Sequence, residues 1–511
     1  GAGAGADVIT VAFNATSSRG LAWLGVSNCT TCCSDANTNA LQISYDMGSS
    51  WSPVRVSASK LGSSWLSVPS RGGATHVRYA WTDFVNCVLV NEEGLPLAPF
   101  TAAVSKQPPH APAPPLPSPS SPSSSSAPAG SQSSSSAPAG SRGLTAPPMG
   151  FNSWNFYHCN IDESTVQRVA RAFTQTGLQQ AGYRYINLDD CWQVGRNGSR
   201  AIIADPVRFP SGMRALADYV HAQGLLFGLY TAQKEFTCQH RPGSWQHEEV
   251  DAAVYCEWGV DYVKIDQCGG RQWPALNTSW IKFQQGFTDC WQQHQHSIVQ
   301  SVESCGSPDG CGQWVAGLAD LWRTSGDVQA QWESVMSNLH ANNEMADVAT
   351  VGHYNDPDML EVGNVGLSLV EQRSHFSLWC LVAAPLLIGT DVINISADSL
   401  AILTNTEVIA VNQDPGQGGK VQGRLVGKAA PQGGEVWAKH LENGDVAVIL
   451  LNRHDSASQA VTATWQDLGL KMGASYSARD LWAGKPLGVF TKSFSATVHS
   501  HDVTMVRLSP K

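Results

Sequence analysis

The chain has few charged side chains and lacks any long apolar segment. Charged residues make up 14% of its 511 residues and leave a net charge of -10, without a cluster of Lys or Arg. It therefore offers no basic surface to nucleic acid or to an anionic membrane. No apolar run approaches the roughly 18 residues of a membrane-spanning helix. The Gly/Ala-rich start has neither an initiator Met nor a signal-peptide pattern, so we expect a mature form or a fragment.

Cysteines and glycosylation sequons are, by contrast, frequent. The chain has 13 cysteines, an odd number that leaves at least one thiol free or paired outside the chain. Asn-X-Ser/Thr sequons occur at Asn14, Asn28, Asn197, Asn277 and Asn394. Both features indicate an oxidising, glycosylating compartment, and we expect secretion or a lysosomal or vacuolar lumen.

Two stretches of different composition precede the main part of the chain. Residues 1–105 contain short alternating strands, such as 8–13 and 41–45, and predict a small all-β unit. Residues 106–142 consist mainly of Pro, Ser, Ala and Gly, and the unit SSSSAPAGS occurs at 123–131 and again at 133–141. Such a composition cannot bury enough apolar surface to offset the entropy of ordering, which predicts a disordered linker.

Residues 143–418 alternate short apolar runs with helical patterns. Several of the runs end in a charged or aromatic residue, and they lie at 149–154, 185–189, 225–230, 260–266, 298–303, 319–323 and 385–391. Helical spacing of apolar residues follows the first run at 162–182, and a further helix is expected after Pro210. Repeated strand-helix units over this length predict an α/β fold, a (β/α)8 TIM barrel whose functional groups project from the C-terminal strand ends.

Residues 419–511 change to an all-β pattern. Apolar or alternating runs at 436–439, 446–451, 461–465 and 503–508 are separated by turns such as Asn443-Gly444-Asp445. This pattern predicts a C-terminal antiparallel β-sandwich.

Two carboxylates at predicted strand ends carry the strongest chemical signal. The run 260–268 presents Lys264 and Asp266 on one face of a strand, and Asp327 closes the segment that follows another strand. Glycoside hydrolysis needs such a pair, since one carboxyl attacks or polarises the anomeric carbon while the other protonates the leaving oxygen. Taken singly, an Asp at a strand end is more often the N-cap of a helix.

Five sequence blocks occur in the order found in glycoside hydrolase family 27, the α-galactosidases or melibiases, which the chain resembles. The blocks are 146–155 (APPMGFNSWN), 187–192 (NLDDCW), 260–268 (VDYVKIDQC), 322–327 (WRTSGD) and 355–360 (NDPDML). The resemblance implies a retaining mechanism without a cofactor or metal, with Asp266 as nucleophile and Asp327 as general acid/base. We expect Lys264 to keep Asp266 ionised, Arg323 to bind substrate or tune Asp327, and the surroundings of Asp327 to raise its pKa.

The resemblance also implies a set of sugar contacts. Asp189 and Asp190 would bind the C4 and C6 hydroxyls of galactose, Trp154 would stack on the sugar, Tyr230 would line the pocket, and Asp358 would bind on the C2 side. Ordinary structural roles compete with each assignment: a turn or cap for the Asp189-Asp190 pair, core packing for the two aromatic residues, and an Asx-Pro turn for Asp358.

Cysteine pairing is predicted in part. The resemblance implies the disulfides Cys159–Cys191 and Cys238–Cys268, and it puts Cys238 among the residues that border the pocket. We expect Cys256, Cys290 and Cys380 to be buried free thiols, because they lie in apolar or helical contexts. A bridge within the loop 305–311 stays open, as does zinc binding by the cluster 29–33, which no matching Cys or His pair follows.

One position bears on substrate choice. The family places at Glu303 a residue that contacts the C2 substituent of the sugar, and a bulky Glu there leaves no space for an N-acetyl group. The resemblance thus favours galactose over N-acetylgalactosamine, while β-L-arabinopyranosides, which lack C6, remain an alternative substrate class.

The N-terminal unit resembles a different family. The motifs 77–81 (VRYAW) and 94–100 (GLPLAPF) are similar to the C-terminal tail of sialate O-acetylesterases. The nucleophilic Ser motif of that family has no match in this chain, so we expect the unit to be catalytically silent.

The sequence as a whole predicts an exo-acting hydrolase that removes terminal α-linked D-galactose from oligosaccharides or glycoconjugates. Its expected partner is an α-galactoside, with no nucleic acid and no membrane insertion. Transfer to an acceptor sugar would use the same residues. A non-catalytic carbohydrate-binding protein is the alternative from another class, and Asp266 with Asp327 argues against it because binding alone requires neither.

Overall fold

A computed structural model of the chain describes residues 7–12, 22–25, 41–44, 52–53, 65–70, 75–79, 87–90, 100–103, 143–268, 276–303, 315, 317–427 and 433–511. The chain divides into two compact units, Gly1–Ser131 and Gln132–Lys511. Within the described ranges, none of the helices combines the length and hydropathy that a bilayer-spanning segment requires. The predicted linker, 106–142, the loop 305–311 and the cysteine cluster 29–33 lie outside the described residues.

The first unit consists, where described, of short antiparallel strands. They are β1 (Asp7–Ala12), β2 (Ala22–Gly25), β3 (Leu41–Ser44), β4 (Ser52–Pro53), β5 (Trp65–Ser70), β6 (His76–Tyr79), β7 (Cys87–Val90) and β8 (Phe100–Ala103). Strand β1 pairs with β5, β2 with β7, and β4, β3, β6 and β8 form a sheet in that order. The pair Ile43 and Val77 is buried between β3 and β6, as the period-2 pattern predicts for a half-buried sheet.

The second unit begins with a parallel sheet. Its strands, with one hairpin, are β9 (Met149–Asn152), β10 (Tyr185–Asn187), β11 (Gln193–Arg196), β12 (Ile202–Ala204), β13 (Leu226–Ala232), β14 (Tyr262–Asp266), β15 (Val299–Val302), β16 (Leu321–Arg323), β17 (Tyr354–Asp356) and β18 (Leu386–Ile388). Eight of these described strands pair in the order β17-β16-β15-β14-β13-β10-β9-β18, while β11 and β12 form the separate hairpin.

The parallel sheet closes on itself next to β17. Leu360, four residues beyond the end of β17, forms a parallel bridge with Ile388 in β18. Its N–H donates to the Leu387 carbonyl at 2.8 Å, and the Gly389 N–H donates to the Leu360 carbonyl at 2.9 Å. Closure removes the two open edges that a sheet of this size would otherwise expose. The predicted (β/α)8 barrel is therefore confirmed.

Helices connect the barrel strands and cover their outer faces. They are α1 (Trp154–Tyr157), α2 (Glu163–Thr176), α3 (Gly212–Ala222), α4 (Glu248–Trp258), α5 (Leu276–His294), α6 (Trp332–Glu344), α7 (Leu369–Leu381), α8 (Ala397–Leu403) and α9 (Thr406–Gln413). In α2 the side chain of Asp162 accepts from the Thr165 N–H at 2.7 Å, and Gly177 ends the helix with a φ of 90°. These are the start and stop signals of the sequence, an Asp N-cap and a left-handed Gly.

The C-terminal part is a β-sandwich, as predicted. Its strands are β19 (Arg424–Val426), β20 (Gly434–His440), β21 (Val446–Asn452), β22 (Gln459–Thr464), β23 (Tyr476–Asp480), β24 (Lys485–Phe490), β25 (Ser493–Val498) and β26 (Val503–Pro510). Strands β19-β20-β21-β26-β23-β24 form one antiparallel sheet and β22-β25 another. Side chains of β21 alternate between two cores: Ala447, Ile449 and Leu451 pack with the barrel, and Val446, Val448 and Leu450 with β22 and β25. Both faces are buried, which explains the continuous apolar run of this strand.

The barrel and the sandwich share an interface beside α7. Arg373 of α7 pairs with Asp502 at 2.5 Å. The ring of His501 stacks on Trp332 with 4.7 Å between centroids, and its Nδ1 lies 2.8 Å from the Glu371 carboxylate. The sandwich is thereby fixed against the helices that follow β16 and β17.

The cysteine predictions are confirmed in part and corrected in part. Both disulfides that the family resemblance implied, Cys159–Cys191 and Cys238–Cys268, are present. The expectation that Cys256 and Cys290 are free thiols is wrong, because they form a third disulfide with 5.9 Å between Cα atoms. These residues lie on α4 and α5, and the parallel packing of the two helices, invisible in sequence spacing, brings them together. Cys380 is a buried free thiol, as expected.

Candidate active site

One cavity lies at the C-terminal ends of the barrel strands and contains every predicted catalytic and substrate-binding residue. It has a volume of about 700 Å³, within the range of about 300–1,000 Å³ that small-ligand sites occupy. The predicted residues that line it are Trp154, Asp189, Asp190, Tyr230, Cys238, Lys264, Asp266, Glu303, Arg323, Asp327 and Asp358. The barrel thus brings together, in one place, side chains that are far apart in the chain.

Asp266 is the last residue of β14, and its carboxylate is held from two sides. The Tyr230 hydroxyl donates to Oδ2 at 2.9 Å, while the N–H groups of Gln267 and Cys268 donate to Oδ1 at 2.5 and 3.3 Å. Burial and the adjacent Asp266 charge raise the pKa of Tyr230 well above its usual value, so this phenol remains a neutral donor. The carboxylate is thereby held in one orientation at the cavity wall.

Asp327 lies four residues beyond Arg323, and 72% of its side chain is exposed to solvent. Arg323 Nη2 lies 3.0 Å from Asp327 Oδ1. Partial burial raises the pKa of the Asp327 carboxyl, but the charge and hydrogen bond of Arg323 outweigh this effect and the pKa is lowered. The prediction that its surroundings raise this pKa is wrong for the substrate-free protein, because the nearest group is a cation and not an apolar wall or a carboxylate.

Arg323 connects three carboxylates at the floor of the cavity. It is 3% exposed, and its Nη1 lies 2.8 Å from Glu303 and 3.3 Å from Asp358, in addition to the Nη2 contact with Asp327. Burial raises the pKa of Glu303 to about 7, even though Arg323 and Lys264 lower it. The planar guanidinium suits this role because its donors form a rigid fork that several carboxylates can share.

Lys264 occupies the opposite side of the same acidic group. Its Nζ lies 3.3 Å from Asp189 Oδ2, 3.5 Å from Glu303 Oε1 and 5.5 Å from the centre of the Tyr230 ring. Burial lowers the pKa of Lys264, but the carboxylates of Asp189, Glu303 and Asp266, in that order, raise it well above its usual value. Lys264 therefore contacts Asp189 and Glu303 directly and affects Asp266, its predicted partner, from a greater distance.

Asp189 and Asp190 follow β10 and are both almost fully buried. Asn152 Nδ2 donates to Asp189 Oδ2 at 2.8 Å. Asp190 accepts from the Cys191 N–H at 2.6 Å and from the Gln239 N–H at 3.0 Å. Burial raises the pKa of Asp190. Each carboxylate retains accepting capacity that protein donors do not use, as an acceptor of sugar hydroxyls requires.

Asp358 has a left-handed backbone with a φ of 81°, which is uncommon for a residue other than glycine. Its N–H donates to Asp356 Oδ1 at 2.8 Å, and its Oδ2 accepts from the Val328 N–H at 2.8 Å. The Asx-Pro turn, which was the alternative to a binding role for Asp358, is thus present. The side chain that forms this turn belongs to Asp356. Asp358 itself is left to line the cavity and to contact Arg323.

Trp154 begins α1, directly after β9. Its backbone N–H donates to Asn152 Oδ1 at 2.8 Å, and its ring contacts the His158 ring edge to face, with 5.2 Å between centroids. The ring is partly exposed and lines the cavity, so packing in the core does not account for all of its surface.

Sequence analysis missed several lining residues. They are Asn155, Lys234, Gln239, Gln267, Ser325, Gly326 and Met359. Asn155 and Met359 lie inside two of the five sequence blocks, so a signal existed for them. Lys234 and Gln239 lie on the loop after β13, beyond the point where the predicted apolar run ends, and nothing local marks them.

One grouping has the spacing of a metal site among the described residues, namely Cys238, Asp266 and Cys268. Its two sulfur atoms are bonded to each other, so neither is a thiolate ligand. A larger depression of about 840 Å³ lies between α3, α4 and α5 and borders the Cys256–Cys290 disulfide. No strand end contributes to it, and its acidic residues, Asp218, Glu249, Glu257 and Asp289, lie on the three helices.

The arrangement is suited to chemistry on a polyol. It offers a fixed carboxylate at Asp266 and a solvent-accessible carboxyl at Asp327. Asp189 and Asp190 add hydrogen-bond acceptors, and Trp154 adds an aromatic face. A carboxylate pair of this kind can form and break a glycosidic bond, one member acting at the ring carbon and the other at the leaving oxygen.

Comparison with known proteins agrees with this geometry. Residues 146–414 match the family model described as alpha galactosidase A, and residues 432–508 match that of the alpha galactosidase C-terminal beta sandwich domain. An alpha-galactosidase of Oryza sativa subsp. japonica is 41% identical over 71% of this chain and 84% of its own length. The structure of alpha-galactosidase I from Mortierella vinacea has a TM-score of 0.65 and 31% identity, covering 71% of this chain and 97% of that one. A Saccharomyces cerevisiae alpha-galactosidase with raffinose gives a TM-score of 0.65 at 28% identity, over 72% of this chain and 98% of that one.

Proposed function

The chain belongs to the alpha galactosidase A family of glycoside hydrolases, and we propose that it removes terminal α-linked D-galactose from oligosaccharides or glycoconjugates with retention of configuration. The observation that carries the proposal is the presence of Asp266 and Asp327 in one cavity, together with Trp154, Asp189 and Asp190. Membership agrees with the resemblance drawn from the five sequence blocks. The raffinose in the related yeast structure, itself an α-galactoside, supports this substrate class.

In the first step, an oxygen of Asp266 attacks the anomeric carbon as the bond from that carbon to the aglycone oxygen breaks. Asp327 transfers its proton to the departing oxygen, and the product is an ester between galactose and Asp266. Tyr230 supports the attack, because its hydroxyl donates to Oδ2 of Asp266 and, with the Gln267 and Cys268 N–H groups on Oδ1, keeps the carboxylate in one orientation.

In the second step, Asp327 is a carboxylate and removes a proton from water, whose oxygen attacks the same carbon. The ester bond breaks, galactose leaves and Asp266 is again ionised. The lowered pKa of Asp327 favours this base form in the free protein. For the first step, an aglycone that covers the exposed Asp327 side chain would remove water and raise its pKa. An acceptor sugar in place of water would give transfer through the same residues.

Glu303 supports galactose as the preferred glycone. Its carboxyl is fixed by Arg323 at 2.8 Å and by Lys264 at 3.5 Å, and it occupies the side of the cavity where the resemblance places the C2 substituent. An N-acetyl group there would have to displace a side chain that is held by two cations. The held position of Glu303 therefore favours a hydroxyl at C2.

A secreted or lysosomal or vacuolar location accompanies this proposal. Three disulfides join the described residues, and disulfides of this kind persist in oxidising compartments. The sequon residues Asn197 and Asn394 are exposed and accessible to glycosylation.

The test is release of p-nitrophenol from its α-galactoside, with the α-N-acetylgalactosaminide and β-L-arabinopyranoside in parallel. We expect turnover of the galactoside and its loss in Asp266→Asn. In an NMR time course, galactose should be released first as the α-anomer. Preferred turnover of the arabinopyranoside would replace the proposed substrate with that alternative. Absence of turnover of all three by folded protein would favour a binding function.

A further inference from the structure

A buried carboxyl lies directly behind the cavity, at the seam where the barrel closes. Glu361 follows the bridging residue Leu360 and is 3% exposed. Its carboxyl oxygens accept from two amides: Asn155 Nδ2 donates to Oε1, and Asn364 Nδ2 donates to Oε2 at 2.5 Å. The Glu361 N–H donates to His375 Nε2 at 3.0 Å. None of the sugar contacts implied by the family resemblance involves Glu361.

Asn155 connects this carboxyl to the cavity. It lies next to Trp154, is partly exposed and lines the cavity wall. The Asn155 side chain packs against the backbone of Gly389, the residue after β18. A Cβ added to Gly389 would lie 3.1 Å from Asn155 Cβ, so the space around the side chain is narrow. Among the described residues, no backbone or side-chain donor is hydrogen-bonded to Asn155 Oδ1, whereas its Nδ2 is bonded to Glu361.

The chemistry of the two groups determines which end of the amide is available. Both Glu361 oxygens accept from amide nitrogens, those of Asn155 and Asn364, and an amide nitrogen can only donate. Glu361 therefore fixes the Asn155 amide with Nδ2 toward the barrel seam and leaves Oδ1, a strong acceptor, for the cavity. A sugar supplies the matching partner, because each of its hydroxyls is a donor.

We propose that Asn155 Oδ1 accepts a hydrogen bond from one hydroxyl of the bound galactoside, and that Glu361 is the positioning residue that orients this amide. The proposal rests on the proposed function for the identity of the substrate. It adds a substrate-binding residue to those implied by the family resemblance and gives a buried carboxyl at the barrel seam a role in recognition.

A purely structural role for Glu361 is the competing explanation, since it ties Asn364 and the neighbourhood of His375 to the barrel seam. The two explanations differ in what they predict for substrate. Orientation of an acceptor affects binding of a particular hydroxyl, whereas support of the seam affects stability and all substrates alike.

The first experiment is Asn155→Ala, assayed with p-nitrophenyl α-galactoside and its 2-, 3-, 4- and 6-deoxy analogues. We expect kcat/KM on the full substrate to fall about ten- to hundredfold, mainly through a higher KM, because the bond is made in ground and transition states alike. For the deoxy analogue that lacks the contacted hydroxyl, Asn155→Ala and wild type should have the same kcat/KM. That analogue identifies the hydroxyl. An equal loss on all analogues, or no loss on the parent substrate, would overturn the proposal.

The second experiment is a double-mutant cycle with Glu361→Leu. If Glu361 acts through Asn155, the double variant should have the kcat/KM of Asn155→Ala alone, and the two losses should not add. Asn364→Ala is the matched control, because it removes the other amide on Glu361 but does not line the cavity. We expect its kcat/KM to stay within about threefold of wild type. Additive losses, or an equal loss in the control, would show that Glu361 only supports the fold.

Failure of the proposed function can be separated from failure of this inference. Binding of free galactose, measured by calorimetry on the wild-type protein and on Asn155→Ala, requires no turnover. Galactose binding that weakens about tenfold in the variant supports the inference even if no galactoside is hydrolysed. Wild-type hydrolysis with unchanged galactose affinity in the variant retains the proposed function and overturns the inference. If wild-type protein neither binds nor hydrolyses, both are overturned.

Discussion

The guanidinium of Arg323 lies 3.0 Å from the carboxylate of Asp327, although the Arg323 side chain is 3% exposed and that of Asp327 is 72% exposed. A buried cation thus controls the protonation of a group at the solvent-facing edge of the cavity. Because Arg323 also contacts Glu303 and Asp358, the proton affinity of Asp327 is linked to the charges that would bind the sugar.

Replacing Arg323 with Lys should therefore change both rate and pH dependence. An ammonium lacks the rigid planar fork with which Arg323 reaches three carboxylates at once, so we expect kcat/KM to fall on the order of a hundredfold. The pKa of Asp327 should rise toward its usual value, which moves the basic limb of the kcat/KM profile to higher pH. A pH series with the galactoside measures both effects. Arg373→Lys, at the pair with Asp502, is the control and should leave the profile in place; an unchanged profile in Arg323→Lys would contradict the assigned link.

Lys264 should contribute more to stability than an exposed cation does. Its side chain is 15% exposed and lies between Asp189 and Glu303. Lys264→Met therefore removes the positive charge that neutralises these two buried carboxylates. We expect a loss of about 3 kcal/mol in the free energy of unfolding. The control is Arg424→Met, whose partner Asp347 is 81% exposed, and it should cost less than about 1 kcal/mol. Urea unfolding at pH 7 compares them, and equal losses would refute the distinction.

Two disulfides that close similar lengths of chain should differ in their functional effect. Cys256–Cys290 spans 34 residues and Cys238–Cys268 spans 30, so replacing either pair with Ser should lower the free energy of unfolding by about 2–4 kcal/mol. Only the second borders the active-site cavity and lies beside Gln239, whose N–H donates to Asp190. We expect kcat/KM to survive loss of the first and to fall at least about tenfold on loss of the second. Assays well below each melting temperature separate the two effects, and equal activities would contradict this prediction.

Stability should depend on pH through Glu361. Burial raises the pKa of this carboxyl to about 7 from 4.5, despite hydrogen bonds from Asn364 and Asn155 that lower it. Between these values the folded protein holds a proton that the unfolded chain has released, so this group favours the folded state at low pH, and that contribution is lost as pH rises toward 7. Glu361→Gln removes the dependence. Relative to wild type, the variant should therefore gain on the order of 2 kcal/mol between pH 5 and pH 8. Thermal melts at both pH values test this, and a constant difference would contradict it.

Glu303 should govern selectivity at C2 of the sugar. Glu303→Ser removes the carboxyl that Arg323 and Lys264 hold and leaves space for a larger substituent. We expect the ratio of kcat/KM for the α-N-acetylgalactosaminide to that for the α-galactoside to rise at least about tenfold. The paired p-nitrophenyl substrates measure this ratio, and an unchanged ratio would mean that Glu303 does not face C2.

Local signals were sufficient for much of the fold. The Asp162 cap and Gly177 stop set the bounds of α2, and apolar runs marked seven of the eight barrel strands. Strand β17 was missed because Tyr354–Asp356 has the sequence Tyr-Asn-Asp, in which two polar residues of three leave no apolar run. The run at 446–451 identified a strand but not its two-sided burial, which depends on which sheets and helices pack against it.

By itself, the sequence determined the order of barrel and sandwich and the residues at the strand ends, because propensity, capping and periodicity act over a few neighbouring residues. Tertiary structure alone decided the Cys256–Cys290 bond, the lowered pKa of Asp327, and the hydrogen bond between Asn155 and Glu361, which are 206 residues apart. Each of these depends on distances between side chains from different elements. Closing the barrel fixes those distances, and no local pattern records them.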